Sequence, residues 1–206
     1  LGLNLAAIGQ KITATLYNLL VKAVNQQGLT GIIPTGATGT GVTVAPTGAI
    51  TIVNGQTMSI SGVFTGGYDN YRITWSSSTR SAVSSIALHL LAAGTASASN
   101  YDFVRGVDSG TSTTITSSSA TTAPPIDYGI AVGQRSNGVM DIFGPALIAP
   151  TASTVQSAVY ASSNVYSMRV GWVNEANASY DGISLFVGSG QTWSGTVRIY
   201  GYNNLG

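Results

Sequence analysis

The sequence predicts a mainly β protein: a jelly-roll-like antiparallel β-sandwich, preceded by a short N-terminal α-helix and an extended Gly/Pro/Thr linker. Three observations lead there. From Ala49 onward, short segments of alternating apolar and polar residues follow one another, separated by turn signals such as Asn54-Gly55, Gly66-Gly67, Asn137-Gly138, Asp181-Gly182 and Ser189-Gly190. Charged residues make up 7% of the chain, where about 25% is usual, and Ser, Thr, Gly and Asn supply the polarity instead. Helical periodicity is confined to the first 28 residues.

Residues 1–28 form the predicted helix. Ile12, Leu16, Leu19 and Ala23 recur at spacings of 4, 3 and 4, the seam pattern of a coiled coil, and Leu20, Val21 and Val24 widen the apolar face. Thr13 or Thr15 can cap its start, and Gly28 after Gln27 is a natural stop. Such a face serves equally for packing on its own domain, for self-association or for docking onto another protein. At about two heptads it is too short to hold a trimer alone. The only lysines, Lys11 and Lys22, lie here with no acid to balance them.

Residues 29–48 read as a linker. The stretch from Gly28 is rich in Gly and Pro, repeats Pro-Thr-Gly at 34–36 and 46–48, and carries no charge. Its glycines hold no strict triplet, which argues against a collagen helix. An extended path pinned against neighbouring chains is expected.

Residues 49–206 form the predicted β domain, with strands at 49–53, 57–64, 70–76, 83–92, 101–107, 111–117, 126–132, 138–148, 155–161, 165–174, 182–187 and 195–202. The densest stretch runs from Val63 to Trp75. Gly66-Gly67 is expected to supply positive φ for a tight reversal. Beyond it Tyr71, Ile73 and Trp75 point to one side and Asn70, Arg72 and Thr74 to the other. The C-terminal run from Gly195 to Tyr202 again sets one arginine among apolar and aromatic residues, so these two strands are expected to be sheet neighbours. Ser85 to Ala93 has helical propensity, but Ile86, Leu88 and Leu90 alternate with Ala87, His89 and Leu91 as in a strand.

The residues exclude more chemistry than they support. The net charge of +1 gives no long-range attraction for nucleic acid or acidic membranes. There is no cysteine and no apolar run of membrane-spanning length. Leu1 to Ala7 is too short and lacks the basic flank of a secretory signal. The chain opens on Leu1 rather than methionine, so its start is expected to be processed or trimmed. The acids Asp69, Asp102, Asp108, Asp127, Asp141, Glu175 and Asp181 are scattered, and the one histidine, His89, sits inside an apolar strand. It is expected on an outer face or at a subunit contact. No catalytic residues, metal site or cofactor are therefore expected, and the chain reads as a non-enzyme. Tyr160, Tyr166, Tyr180 and Trp193 are candidate platforms for a sugar face, set against the general tendency of aromatics to fill a sandwich core. Arg72, Arg105, Arg169 and Arg198 lie within predicted strands. Each either faces solvent or pairs with an acid across a subunit interface, with Asp69, Asp102 and Asp141 as candidate partners.

Several runs together resemble a family: Gly9-Gln-Lys-Ile-Thr-Ala14, Val63-Phe64 through Tyr71-Arg72-Ile73, Ser99-Asn-Tyr-Asp-Phe103, Gly138-Val-Met-Asp-Ile-Phe-Gly144, and the closing Ser194-Gly-Thr-Val-Arg-Ile-Tyr-Gly-Tyr202. The sequence is similar in these motifs to the tail and fibre structural proteins of tailed bacteriophages. The resemblance covers most of the β domain and, more weakly, residues 9–27. It implies a jelly-roll-like sandwich, a homotrimer, and a place on the virion held through residues 1–28 by other tail or capsid proteins. It further implies attachment to a bacterial surface, with a surface glycan as the candidate receptor, or decoration of the particle. It transfers no catalytic residues. A capsid-borne head fibre or decoration protein and a bacterial carbohydrate-binding module are the alternative readings.

Overall fold

A computed structural model describes residues 28–109, 111–129, 132–161 and 164–203. The expected helix and its face of Ile12, Leu16, Leu19, Leu20 and Ala23 lie outside the described residues. Within them the structure is all-β and contains no helix. The strands are β1 (Leu29–Gly31), β2 (Gly36–Thr38), β3 (Val42–Val44), β4 (Ile50–Gly55), β5 (Thr57–Ser61), β6 (Asn70–Arg80), β7 (Ala87–Ala92), β8 (Thr95–Ala96), β9 (Tyr101–Asp108), β10 (Thr113–Thr121), β11 (Arg135–Phe143), β12 (Ala149–Ala161), β13 (Asn164–Ala178), β14 (Gly182–Phe186) and β15 (Trp193–Tyr202).

They form two antiparallel sheets with a β-sandwich-like arrangement. The ten-stranded sheet has the order β10-β9-β13-β12-β11-β6-β15-β4-β3, with β1 added beside β15, and the five-stranded sheet has the order β2-β5-β14-β7-β8. Alternation decides which face is inner. Tyr71, Ile73 and Trp75 of β6 join Met140 and Ile142 of β11, Val170 and Trp172 of β13, and Val197 and Ile199 of β15 in one core. The small sheet presents Met58, Ile60, Leu88, Leu90, Ile183 and Leu185 to the same core. Each such side chain contributes about 1.5–3 kcal/mol by leaving water.

The two arginine-bearing strands are neighbours as expected, with Tyr200 opposite Arg72 and Arg198 opposite Thr74. Other expectations change. Residues 29–48 are extended but are not a free linker: β1 pairs with β15, β2 with β5 and β3 with β4 of the same chain. An uncharged strand can satisfy its backbone groups on the nearest open sheet edge, and that edge belongs to its own domain. Residues 57–64 and 70–76 do not form a hairpin, because β5 lies in the small sheet and β6 in the large one. The Gly66-Gly67 turn forms without positive φ. It is held by Tyr71, whose hydroxyl accepts from Thr65 N–H at 2.7 Å and donates to Thr65 O at 2.5 Å. Asn137-Gly138 is not a turn but the middle of β11, where Gly138 faces Trp75 and the indole occupies the space of the missing side chain. Residues 126–132 hold no strand among their described members; they belong to a loop pinned to the small sheet.

Register separates the two ends of the strands. At one end lie Gly201, Tyr71, Ile142, Ser153, Trp172 and Phe103, related through successive pairings. Gly28 leaves the sheet at this end: its carbonyl accepts from Asn203 N–H at 3.2 Å. At the other end lie Trp193, Arg80, Tyr160, Val165, Ser167, Asp108 and Thr113.

Candidate functional site

The scattered acids do not converge. Among the described residues no three His, Cys, Asp or Glu side chains gather as a metal site would require. No helix among the described residues is long and apolar enough to cross a membrane.

The arginines resolve individually. Arg72 pairs with Asp141 of the same chain rather than across a subunit interface, its Nε and Nη2 donating to the two carboxylate oxygens at 2.8 Å each. The Tyr202 hydroxyl donates to the same carboxylate at 2.6 Å, and the guanidinium lies 5.5 Å from the Tyr202 ring centroid. Burial, together with the neighbouring Asp141 charge, pushes the Tyr202 hydroxyl up to about 12. Arg80, which the sequence did not single out, is buried with Asp127. It donates to Asp127 Oδ2 and to the Ser84 carbonyl, while Ser136 Oγ and the Ile86 N–H donate to the same carboxylate at 2.8 and 2.7 Å. This is a structural lock. Leaving either charge unpaired in the core would be costly.

His89 is half-buried, on the face of β7 opposite the core residues Leu88 and Leu90. Its ring lies 4.6 Å from Phe186 and 6.4 Å from Tyr101. Burial holds its pKa below the ordinary value, against the opposing hydrogen bond to the Thr122 backbone. Its Nε2 is buried without a partner. The ring is a packed side chain with its base locked away from solvent.

The four aromatic candidates divide. Trp193 is fully buried and Tyr180 is 2% exposed. The Tyr180 hydroxyl donates to Asn174 Oδ1 at 2.9 Å. Neither ring offers a face to a ligand; both fill the core, where large apolar rings gain most. Tyr160 is exposed on the outer face of β12, between Arg135 and Val165 on the adjacent strands. Tyr166, at the start of β13, stacks on Tyr128 with ring centroids 4.9 Å apart and planes 16° from parallel.

That stacked pair marks a cleft of 340 Å³ lined by Arg105, Val107, Ser109, Ser112, Thr114, Tyr128 and Tyr166. Its origin is architectural. Five strands cannot cover ten, so the inner face of the large sheet emerges from cover toward its β10 edge. Along one register row Met168 of β13 is buried, Val107 of β9 is 8% exposed, and Thr114 of β10 is exposed. The emerging inner face is the cleft floor, and the loop carrying Tyr128 is its wall.

Tyr128 and Arg105 are held from outside the cleft, and the serines by each other. Tyr128 follows Asp127, whose carboxylate is locked by Arg80, Ser136 and Ile86. The Pro124 carbonyl of the same loop accepts from the Leu88 N–H of β7, and the Ile126 N–H donates to the Ile86 carbonyl just before that strand. Arg105 is steered by a hydrogen bond from its Nε to Thr116 Oγ1 at 3.2 Å. The Ser109 hydroxyl lies 3.0 Å from that of Ser112 and accepts from the Ser112 N–H at 3.2 Å. The result is an aromatic wall, a cationic fork and a set of hydroxyls around a space of ligand size, since small-molecule pockets run from about 300 to 1,000 Å³. An aromatic face with hydroxyls suits the apolar face and hydroxyl rim of a pyranose.

Tyr166, a candidate from the sequence, lines this cleft, whereas the sequence singled out neither Tyr128 nor a link between it and Arg105. The signal available for Tyr128 was Pro124-Pro125, which argues for a loop rather than a strand over 126–132.

No protein-family model and no curated protein matches the chain. One solved structure, a protein of unknown function from Shewanella oneidensis MR-1 (SO2946), aligns over 86% of this chain and 81% of its own, with 8% identity and a TM-score of 0.21. A score that low carries no argument about fold or function.

Proposed function

We propose that this chain is a structural virion protein of a tailed bacteriophage, a homotrimeric tail fibre or minor tail protein. It anchors to other virion proteins through residues 1–28 and presents its β domain, a jelly-roll-like sandwich, for attachment to the host surface. The observation that carries this reading is polarity of the fold. Gly28, where residues 1–27 join, sits at one end of the strands, and the Tyr128–Tyr166 cleft sits at the other. A chain held by its N-terminal segment would present the cleft outward.

Composition supports the same reading. With 7% charged residues, copies packed side by side repel one another little. Threefold display would turn weak contacts with a surface glycan into useful avidity. The chain acts by binding rather than catalysis, and no cofactor is required.

Antibody labelling of assembled particles by electron microscopy tests the proposal. Label on the tail or its fibres is expected. Label on the head shell would instead establish the capsid-borne head fibre or decoration reading, and particles without label would overturn a virion role. Release of reducing sugar from host wall material by the purified protein would overturn the non-enzymatic reading. Sedimentation should give three times the 21.0 kDa chain mass; a monomer carrying residues 1–28 would favour a carbohydrate-binding module.

A further inference from the structure

We infer that the cleft between Tyr128, Tyr166 and Arg105 binds a saccharide carrying an anionic group, a carboxylate or a phosphate. The inference rests on the attachment reading and names its ligand class. Three features of the cleft each select a part of that ligand. The Tyr128–Tyr166 stack presents an aromatic surface at the cleft, which selects the apolar face of a sugar ring. Ser109, Ser112 and Thr114 supply hydroxyls that can both donate and accept, which matches the hydroxyl rim of the same ring.

Arg105 makes the third selection. A neutral sugar would need only the rings and hydroxyls, whereas the guanidinium on the cleft lining adds a selection for negative charge. Thr116 takes the Nε hydrogen bond, and among the described residues none takes one from the η nitrogens. These are the atoms a planar guanidinium uses to grip a carboxylate or phosphate in two parallel bonds. Arg105 lies two residues along β9 from Val107, or about 7 Å at strand rise. That spacing lets one ring rest on the tyrosines while a substituent on it, or on the next sugar, reaches the guanidinium.

Calorimetric titration of the full chain tests this with three probes: a galacturonate trimer, the neutral galactose trimer, and galactose 6-phosphate. The galacturonate trimer or the sugar phosphate should bind about tenfold or more tightly than the neutral trimer, as a charge-assisted bidentate contact requires. Whichever does so identifies the anionic group. Arg105→Gln should remove that preference while leaving residual binding to the ring. Tyr166→Ala should weaken all binding. Ser112→Phe, at an exposed position on the cleft lining, should block the cleft and abolish binding even if the other variants misfold.

Equal binding of neutral and anionic trimers, no binding of any probe, or binding untouched by Ser112→Phe would each overturn the inference. Such a failure with antibody label still on the tail would leave the attachment reading standing. Loss of the label would remove that reading whatever the titration shows.

Discussion

Arg72 and Asp141 face each other across the β6–β11 pairing and are joined by two hydrogen bonds of 2.8 Å, with the Tyr202 hydroxyl closing on the same carboxylate. Three strands of the large sheet are thereby tied on its outer face. The two charged side chains are 35% and 20% exposed, so solvent screens the pair. Asp141→Asn is expected to cost about 1 kcal/mol at neutral pH, between a fully exposed pair and a buried one.

The same pair makes stability depend on pH. Burial opposes ionisation of Asp141, but the hydrogen bonds from Arg72 and Tyr202 outweigh it and hold the carboxyl below its usual range. The unfolded chain therefore takes up this proton before the folded one does. The contribution is complete above the ordinary carboxylate value of about 3.9 and is lost as pH falls through the lower folded value. Urea melts across that window should lose less stability in Asp141→Asn than in the native protein. Equal losses would remove Asp141 as the source.

Arg80 and Asp127 are both fully buried, so their separation should be far more damaging. Arg80→Met leaves a carboxylate in the core with only Ser136 and Ile86 N–H to satisfy it, and should cost about 3–5 kcal/mol. That is a large part of a domain's usual stability of about 5–15 kcal/mol. The double variant Arg80→Met, Asp127→Leu should recover much of the loss. A double-mutant cycle by denaturant unfolding measures the coupling, and strictly additive losses would show that the two charges act independently.

Two glycines in the large sheet should respond differently to the same change. A Cβ on Gly138 would overlap the Trp75 ring, whereas a Cβ on Gly106 meets nothing within 4 Å. Gly138→Ala should cost about 1–3 kcal/mol through overpacking, and Gly106→Ala should be near neutral. Thermal unfolding of the two variants side by side is the measurement; similar melting points would contradict the placement of Trp75 on Gly138.

His89 is the sole histidine, so its proton resonances identify it without assignment. Its pKa is lowered by burial, which the hydrogen bond to the Thr122 backbone only partly offsets. A titration midpoint below the ordinary value of about 6.5 is expected. Because the unfolded chain gains this proton first, the stability linked to His89 is present above that value and declines as pH falls below it. A midpoint at or above the ordinary value would show the ring open to water.

Replacing Leu16 and Leu19 by Asp on the N-terminal apolar face should detach the β domain from its virion or its trimer without unfolding it. Native mass and far-ultraviolet circular dichroism read the two outcomes separately. Loss of the β spectrum would place this segment in the core and remove its role as an anchor.

The strands that alternate cleanly were legible in the sequence. Tyr71, Ile73 and Trp75, or Val197 and Ile199, announce a buried face because a strand has a period of two and only one side meets the core. The short strands β1, β2 and β3 were not, because three Gly- and Thr-rich residues carry no periodicity and become strands only when an open edge accepts them. Tyr180 and Trp193 resembled Tyr166 in sequence, yet core and cleft separate them, since burial depends on what the opposite sheet covers.

Residue chemistry alone established the β character of residues 49–206, the sparsely charged, hydroxyl-rich composition and the arginines within strands, because composition and alternation are local properties. Which residues form the cleft depended on long-range pairing. The small sheet stops short of β10, the buried Arg80–Asp127 pair fixes the loop beside it, and Tyr128 is brought against Tyr166 from 38 positions earlier in the chain. No local pattern encodes that meeting, since it arises from the order in which distant strands share hydrogen bonds.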